Sequence, residues 1–336
     1  MINLGVVGYG YWGPNMVRNF METPGSKVKA ISDLIPSRLE KAQNRYPGIN
    51  VSTNYEDLVA DPGIDAVVIS TPVSTHFEIA MKALKEGKHI LVEKPMTISS
   101  DQAKRLIDEA NKRKLVLMVD HTFIFTSAVQ KMRNLISTNE LGDIYYYDSA
   151  RVNLGLFQHD VNVIWDLAVH DLSIMDFIIP EKPISVSATG LSHVTNQPVN
   201  IAYLTLFFSG KIIGHINVNW LAPVKIRRTL IGGSQKMIVY DDLEPSEKIK
   251  IYDKGITIGQ NSPDNVYQML INYRSGDMWA PKLDGSEALK IEASHFIECI
   301  EKSLQPETSG ESGLRIVRML EAATESLSRN GQPVNL

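Results

Sequence analysis

The sequence predicts an α/β protein of two domains: a doubly wound parallel sheet over residues 1–122, then an α+β domain built on an open-faced mixed sheet over residues 123–336. Three observations carry that expectation. Short aliphatic runs alternate with helical periodicity up to about residue 122, the rhythm of parallel strands joined by helical crossovers. A glycine cluster follows the first run directly and opens a helix. Beyond residue 122, strand-like runs follow one another across short turns such as Ser209-Gly210 and Gly232-Gly233.

The elements of the first domain can be justified in order. Ile2 to Val7 is the first strand, and Gly8-Tyr9-Gly10-Tyr11-Trp12-Gly13 follows it, with Pro14 suited to the first turn of a helix. Val28 to Ser32 is the second strand and ends at Asp33. Ala66 to Ser70 is another, with Ser70-Thr71-Pro72 at its carboxyl edge. His76, Ile79, Ala80, Ala83 and Leu84 fall on one helical face, closed by Gly87. His89 to Val92 leads into Glu93-Lys94-Pro95. Ser99 and Gln102 form a capping box for a helix with Ala103, Leu106, Ile107 and Ala110 on its inner face, and Leu115 to Val119 is the last strand before His121.

The second domain reads as a helix over Ser127 to Ile136, a strand over Ile144 to Val152 and a helix over Ile164 to Ile178. Strands follow at Ser185 to Gly190, Ala202 to Phe208, Lys211 to Trp220, Arg227 to Ile231 and Lys236 to Tyr240. Tyr203, Phe207, Ile213, Ile216 and Trp220 make both faces of that sheet apolar, so one helix layer covers one side and a partner subunit is expected on the other. Two amphipathic helices, Ile291 to Leu304 and Gly313 to Ser328, close the chain.

Composition narrows the function classes. Thirty-four Lys and Arg against 38 Asp and Glu give a net charge of −4, without the basic excess that nucleic acid or an anionic membrane requires. No apolar run reaches the ~18 residues of a membrane span, and the start of the chain lacks the pattern of a secretion signal, so the expected address is cytoplasmic. The single cysteine, Cys299, forms no internal disulfide and reads as a buried small hydrophobe rather than a thiol nucleophile.

The chemistry-bearing motifs cluster where a doubly wound sheet binds ligands. In G-x-G-x-x-G the glycines supply a tight turn, a close backbone approach to a pyrophosphate and helix-to-strand packing, and the helix N-terminus faces the phosphates. The motif therefore predicts a dinucleotide. Asp33 accepts hydrogen bonds from the adenosine ribose and repels a 2′-phosphate, which favours NAD over NADP. Arg38 is the counter-evidence, an arginine placed to pair a 2′-phosphate unless it is solvated helix surface. His76 is either a packing residue or a neighbour of the cofactor. Lys94, held extended before a proline at a strand's carboxyl end, is a functional rather than a surface lysine. In Trp165-Asp166-Leu167-Ala168-Val169-His170-Asp171, the Asp166 and His170 side chains share a helix face at i and i+4, where a carboxylate orients an imidazole for acid–base work, although a solvated pair has the same spacing. No tight metal-ligand spacing is present. Asp166 and His170 with His121 or His159 are the nearest approach to one, so no metal is expected.

These residues are recognisable together. Gly8-x-Gly10-x-x-Gly13, Glu93-Lys94-Pro95 and Asp166-x-x-x-His170, in that order along the whole chain, make it resemble the glucose-fructose oxidoreductase, inositol dehydrogenase and rhizopine-catabolism family, Gfo/Idh/MocA. The resemblance implies a Rossmann domain, a C-terminal open-faced sheet that mediates homodimers or homotetramers, and hydride exchange between nicotinamide and a secondary alcohol of a sugar or cyclitol. It implies catalytic roles for Lys94, His170 and Asp166, the last positioning substrate or imidazole. Cofactor contacts are expected from Gly8, Tyr9, Gly10, Tyr11, Trp12, Gly13, Asp33, Arg38, Ser70, Thr71, Pro72, His76, Glu93, Lys94 and His121. Asp120-His121-Thr122-Phe123, Arg151-Val152-Asn153-Leu154-Gly155 and Asp160 to Leu167 are similar to a branch that oxidises the 3-hydroxyl of UDP-N-acetylhexosamines. For such a nucleotide diphosphate Arg151, Lys225, Arg227 and Arg228 are the cations nominated, alongside Lys94, Asp166 and His170 in the substrate site; an exposed strand edge explains the β-strand cations equally well. The competing readings are an inositol or free-sugar dehydrogenase, a nucleotide-sugar ketoreductase, an NAD-assisted glycosidase and a non-catalytic sugar or NAD sensor.

Overall fold

In the computed structural model, residues 1–155, 161–258 and 271–336 are described. They form two compact units, one of residues 1–126 with 286–321, the other of residues 127–285 with 322–336.

The first unit opens with β1 (Ile2–Val7), α1 (Gly13–Glu22), β2 (Ser26–Ser32), α2 (Pro36–Arg45), β3 (Asn50–Ser52), α3 (Tyr55–Ala60), β4 (Ala66–Ile69), α4 (Val73–Lys85), β5 (His89–Glu93), α5 (Ser100–Arg113) and β6 (Leu117–Asp120). The six strands are parallel in the order β3-β2-β1-β4-β5-β6. Crossovers depart in opposite directions from the β1/β4 pair, so the carboxyl ends of these two strands form the crevice in which such sheets take ligands. All four residues of β4 are buried, as expected of a strand covered on both faces. The strands foreseen from aliphatic runs are present, with β6 ending one residue later than predicted and β2 beginning two earlier. Gly87 takes φ +77° where α4 ends, the left-handed position that a glycine adopts freely. The capping box is only half formed. Ser99 Oγ accepts the Gln102 backbone N–H, whereas the Gln102 side-chain oxygen Oε1 is buried without a partner.

In the second unit come α6 (Ser127–Ser137), β7 (Ile144–Leu154), α7 (Val169–Ile178), β8 (Pro183–Leu191), β9 (Ile201–Phe208), β10 (Ile213–Asn219), β11 (Leu221–Gly233), β12 (Met237–Asp241), β13 (Ile249–Ile258) and β14 (Ile271–Trp279). The chain continues through α8 (Ala288–Lys302) and α9 (Gly310–Ser328) to the short β15 (Val334–Asn335). Among the described residues nine strands form one mixed sheet, β14-β13-β12-β11-β7-β10-β9-β8-β15, in which only the β7/β10 pair is parallel. One face is dry, with Ala202, Leu204, Leu206, Ile216 and Val218 on β9 and β10 buried. The alternate residues, Tyr203, Ile213 and His215 among them, are exposed. That alternation is the period of two which an open face imposes.

Two expectations need correction. Residues 164–178 are not one α-helix: Ile164–Ala168 is a π turn, closed by the Val169 N–H on the Ile164 carbonyl, and α7 begins only at Val169. The domain limit at 122/123 also misplaces the first tail helix. α8 packs on α1 in the first unit, where Phe296 meets Phe20 edge to face at 6.1 Å and both rings are wholly buried. Amphipathic periodicity reveals that α8 has a buried face but not which apolar surface that face meets. Cys299 on the same helix is buried, and burial pushes its thiol up to about 11, which suits the packing role. Among the described residues no helix is long and apolar enough to cross a membrane.

If Phe296 carries the α1/α8 contact, Phe296→Ala should cost about 3–5 kcal/mol in urea denaturation, near the upper range for core truncations. A cost below about 1 kcal/mol would contradict that packing.

Candidate functional site

The site is built first from backbone. Gly8 has φ +97°, and a Cβ there would stand 2.5 Å from the Ser70 carbonyl oxygen. A Cβ on Gly13 would stand 2.2 Å from the Gly8 carbonyl oxygen. Neither position tolerates a side chain. Gly10 differs: its Cβ would meet only the Arg38 guanidinium, at 3.6 Å, so its bareness keeps open the hollow of the turn. Ser70 braces this turn by donating to the Gly8 carbonyl at 2.8 Å, rather than capping the following helix. α1 opens from the turn with Pro14 in its first turn and points its N-terminal amides and positive dipole end outward. A glycine cradle bare of side chains before a helix N-terminus at the β1/β4 crevice fits a dinucleotide pyrophosphate.

Asp33, expected at the adenosine end, lies beside the turn. Its carboxylate accepts the Tyr9 N–H at 2.7 Å and the Ile35 N–H at 2.9 Å, which fixes both oxygens beside the turn. Arg38 lies against it, 3.3 Å from Oδ2. The guanidinium is therefore paired with that carboxylate, although it stays 43% exposed. Tyr9 is buried, while Tyr11 stands almost fully exposed.

Along the same sheet edge, Thr71 and Pro72 follow β4, and Lys94, half-buried, is the first residue beyond β5, whose last residue Glu93 pairs with Asp120 of β6. The Lys94-Pro95 peptide bond is cis. His76, a candidate cofactor neighbour, is 1% exposed, and both ring nitrogens face backbone carbonyls, Pro95 O at 3.0 Å and Thr71 O at 2.8 Å. It offers the cofactor no polar atom. His121 is buried as well.

Sequence reasoning missed a buried acidic pair beneath this edge. Asp120 accepts the Trp12 indole N–H at 2.6 Å, and Thr122 also donates to it. Trp12 belongs to the glycine motif, so the turn is tethered to the end of β6. Glu292 of α8 lies alongside, wholly buried, and burial first and the Asp120 carboxylate second push its carboxyl well above the usual range. Both influences favour the uncharged form of Glu292. A lone Glu among the apolar positions of α8 was the available signal.

In the second unit the π turn and α7 carry the remaining candidates. Asn162 caps the segment, its side-chain oxygen accepting the Ile164 and Trp165 N–H groups at 3.0 and 3.2 Å. Asp166 accepts the indole N–H of Trp220 at 3.0 Å. Trp220, read from sequence as sheet-face packing, is thus a partner of the site, and a buried indole that needs an acceptor was the clue. His170 follows in the first turn of α7 and is half-buried. Its neighbour Asp171 turns inward to Arg151, whose Nε donates to Asp171 Oδ2 at 2.6 Å with both side chains at most 5% exposed. Tyr147 donates to the Asp171 carbonyl at 3.1 Å. Arg151 therefore anchors α7 to β7 instead of presenting a cation to a ligand. Arg227 pairs Asp242 at 3.1 Å and Arg228 pairs Asp241 at 3.0 Å, while Lys225 is exposed on the same strand. His159 and Asp160 lie outside the described residues, among which no group of three His, Cys, Asp or Glu side chains is placed to hold a metal.

Comparison with known proteins bears on the family and the fold. Residues 2–121 match the NAD-binding Rossmann fold of the Gfo/Idh/MocA oxidoreductase family, and residues 133–336 match its C-terminal alpha/beta domain. The chain is 26% identical to scyllo-inositol 2-dehydrogenase (NAD(+)) of Bacillus subtilis, over 100% of this chain and 95% of that one. It is 30% identical to UDP-N-acetylglucosamine 3-dehydrogenase of Acidithiobacillus ferrooxidans, over 60% of this chain and 62% of that one. A solved structure of an enzyme of that name and organism superposes with TM-score 0.80 at 23% identity, over 98% of this chain and 99% of that chain, a likeness of fold.

Two outcomes follow from this geometry. Asp33→Ala should remove the repulsion and release Arg38, raising kcat/KM for NADP relative to NAD by about tenfold or more, one charge contact's worth. An unchanged ratio would take Asp33 out of cofactor choice. For Glu292 the raised folded-state pKa means that the folded chain binds more protons than the unfolded one above pH about 4.3, so its contribution to stability falls as pH rises, by up to about 1.4 kcal/mol per unit. Glu292→Gln cannot ionise, so its stability relative to the parent should improve between pH 5 and pH 8 in urea titrations. The opposite trend would mean that Glu292 is ionised in the fold.

Proposed function

The chain belongs to the Gfo/Idh/MocA family of oxidoreductases, and from that premise we propose that it transfers hydride between NAD and a secondary hydroxyl of a sugar, specifically the 3-hydroxyl of a nucleotide sugar such as UDP-N-acetylglucosamine. The observation that carries the choice of substrate is the 30% identity to UDP-N-acetylglucosamine 3-dehydrogenase. The full-length match to scyllo-inositol 2-dehydrogenase favours a second reading, a cyclitol substrate.

NAD, when bound, would supply the hydride acceptor. The bare turn at Gly8, Gly10 and Gly13 and the N-terminus of α1 would hold its pyrophosphate, and Asp33 with Arg38 would recognise the adenosine ribose. What the protein adds to the reaction is proton management. An alcohol carbon gives up hydride readily only as its hydroxyl proton leaves, so a base must take that proton, and in the reverse direction the same group returns it. His170 is the proposed base. Asp166, fixed by the Trp220 indole, positions the substrate or the imidazole. Lys94 polarises the oxygen or relays its proton, and the two roles are exchangeable in principle because an ammonium and an imidazolium both donate. Of the proposed phosphate-binding cations, Lys225 is the one we retain first, since Arg227 and Arg228 have acidic partners on the sheet. The exposed face bearing Tyr203 and Ile213 supports a homodimer or homotetramer built across the sheet.

The test is an NADH absorbance screen over UDP-N-acetylhexosamines, inositols and free sugars. UDP-N-acetylglucosamine is expected to turn over fastest, and preference for an inositol would replace it with the cyclitol reading. On the best substrate Lys94→Ala and His170→Ala should each lose about 10²- to 10⁴-fold in kcat with NAD affinity little changed by calorimetry, and the double variant should lose less than the product. Near-normal turnover in either variant removes that residue from the mechanism.

A further inference from the structure

We propose that Asp120 is a positioning residue for NAD: by accepting the Trp12 indole N–H it holds the glycine turn in the shape that receives the pyrophosphate, a role that rests on that turn being the pyrophosphate seat.

A turn that meets phosphates with its own backbone is short of side chains to hold it. Gly8, Gly10 and Gly13 supply none, and Tyr11 stands in solvent. Trp12 occupies the cap position of α1, where a short polar side chain ordinarily fixes the helix start by bonding an amide of the first turn. Trp12 makes no such bond. Its indole runs instead to the edge strand β6, where Nε1 donates to Asp120 Oδ2 at 2.6 Å across 108 positions of sequence. The first turn of α1 is thus left clear of a side-chain cap, while its start is fixed from outside the helix.

Asp120 is suited to fix it. It is the last residue of β6, buried, and its ladder partner on β5 is Glu93. Thr122 donates to its other oxygen, Oδ1, so both oxygens are committed. The arrangement is electrostatically unfavourable for the fold, because the buried Glu292 carboxyl lies beside that carboxylate and Glu93 adds like charge nearby. If only packing were needed at this point, an apolar side chain would serve it better. What the carboxylate adds is the bond to Trp12, and with water largely excluded such a bond is stronger than it would be at the surface.

The experiment compares Asp120→Leu, Asp120→Asn and Trp12→Phe in the full-length chain by calorimetry, with NAD and with ADP, which carries the same adenosine diphosphate and no nicotinamide. Leu removes the acceptor and Phe the donor, so each should weaken NAD by about tenfold or more, and ADP by the same factor. The Trp12→Phe/Asp120→Leu double variant should lie within about threefold of either single one, because both changes break one bond. Asn, whose side-chain oxygen still accepts the indole N–H, should stay within about threefold of the parent. Amide hydrogen exchange read by mass spectrometry on the cofactor-free protein gives a second readout: the peptide spanning the turn should exchange about threefold or more faster in the Leu and Phe variants than in the parent or the Asn variant. A merely structural Asp120 would lower the urea midpoint of the Leu variant and leave the Kd of the folded protein unchanged. NAD affinity in the Leu and Phe variants that matches the parent, weakened NAD with unchanged ADP, or an Asn variant as weak as Leu overturns the proposal, as does exchange at the turn that matches the parent. If the Leu variant does not fold, Trp12→Phe decides alone. A parent that binds neither nucleotide refutes the pyrophosphate seat instead, and exchange at the turn then decides the tether.

Discussion

The approach of the glycine turn to the end of β4 is the constraint on which the cofactor domain depends. A Gly8 carbonyl lying where a Gly13 Cβ would be, and a Ser70 carbonyl lying where a Gly8 Cβ would be, bring β1, α1 and β4 closer than any side chain permits. That closeness sets where α1 begins, and so where its N-terminal amides point. It also leaves Tyr9 the right distance from Asp33 for a backbone bond and Trp12 the right distance from Asp120 for an indole bond. The turn is thereby tied to β2 on one side and to β6 on the other. A loop that must wrap a pyrophosphate with its own amides has little side chain to hold it, and these two carboxylates supply the hold.

The first unit was legible because its strands are largely buried on both faces and read as aliphatic-rich runs, Ala66 to Ile69 above all. Motif positions were equally legible, since the strand-to-loop edge fixes where Asp33, Ser70 and Lys94 must stand. What escaped were relationships that one-dimensional periodicity does not encode. β13 and β14 were not foreseen: Asp253, Lys254 and Gly255 interrupt the first, and Arg274, Ser275 and Gly276 the second. Arg151 had the composition of a phosphate ligand, and only the inward register of β7, opposite Asp171, reveals its structural use. Trp220 and Asp166 lie 54 positions apart, and Gln102 satisfied a capping pattern whose second bond does not form. The π turn eluded the helical periodicity because one extra residue per turn barely disturbs a short apolar pattern.

The two units solve the same problem differently. In the first, the ligand edge is organised by carboxylates that accept N–H groups, with burial and the Asp120 carboxylate pushing the Glu292 carboxyl towards its uncharged form. In the second, an ion pair inside the sheet–helix layer does the work: Asp171 on α7 meets Arg151 on β7, and removing either partner would strand a buried charge at a cost of about 3–5 kcal/mol. Such a pair adds little net stability over an apolar one, but it fixes the rotation of α7 about its axis, hence the direction in which His170 leaves it. Orientation, rather than stability, is what this buried charge, one residue from a catalytic candidate, contributes.

The return of α8 to the first unit also has a consequence for biosynthesis. Phe20 is made early, but the ring it packs against, Phe296, emerges from the ribosome only after the whole of residues 127–285. At translation rates of roughly 5–20 residues per second, the nascent first unit waits on the order of ten seconds or more with the apolar flank of α1 uncovered. The second unit likewise waits for its last segment, residues 322–336, whose β15 pairs β8, but by then most of its sheet has been made. Until Phe296 emerges, the uncovered flank of α1 is the surface on which a ribosome-associated chaperone would act.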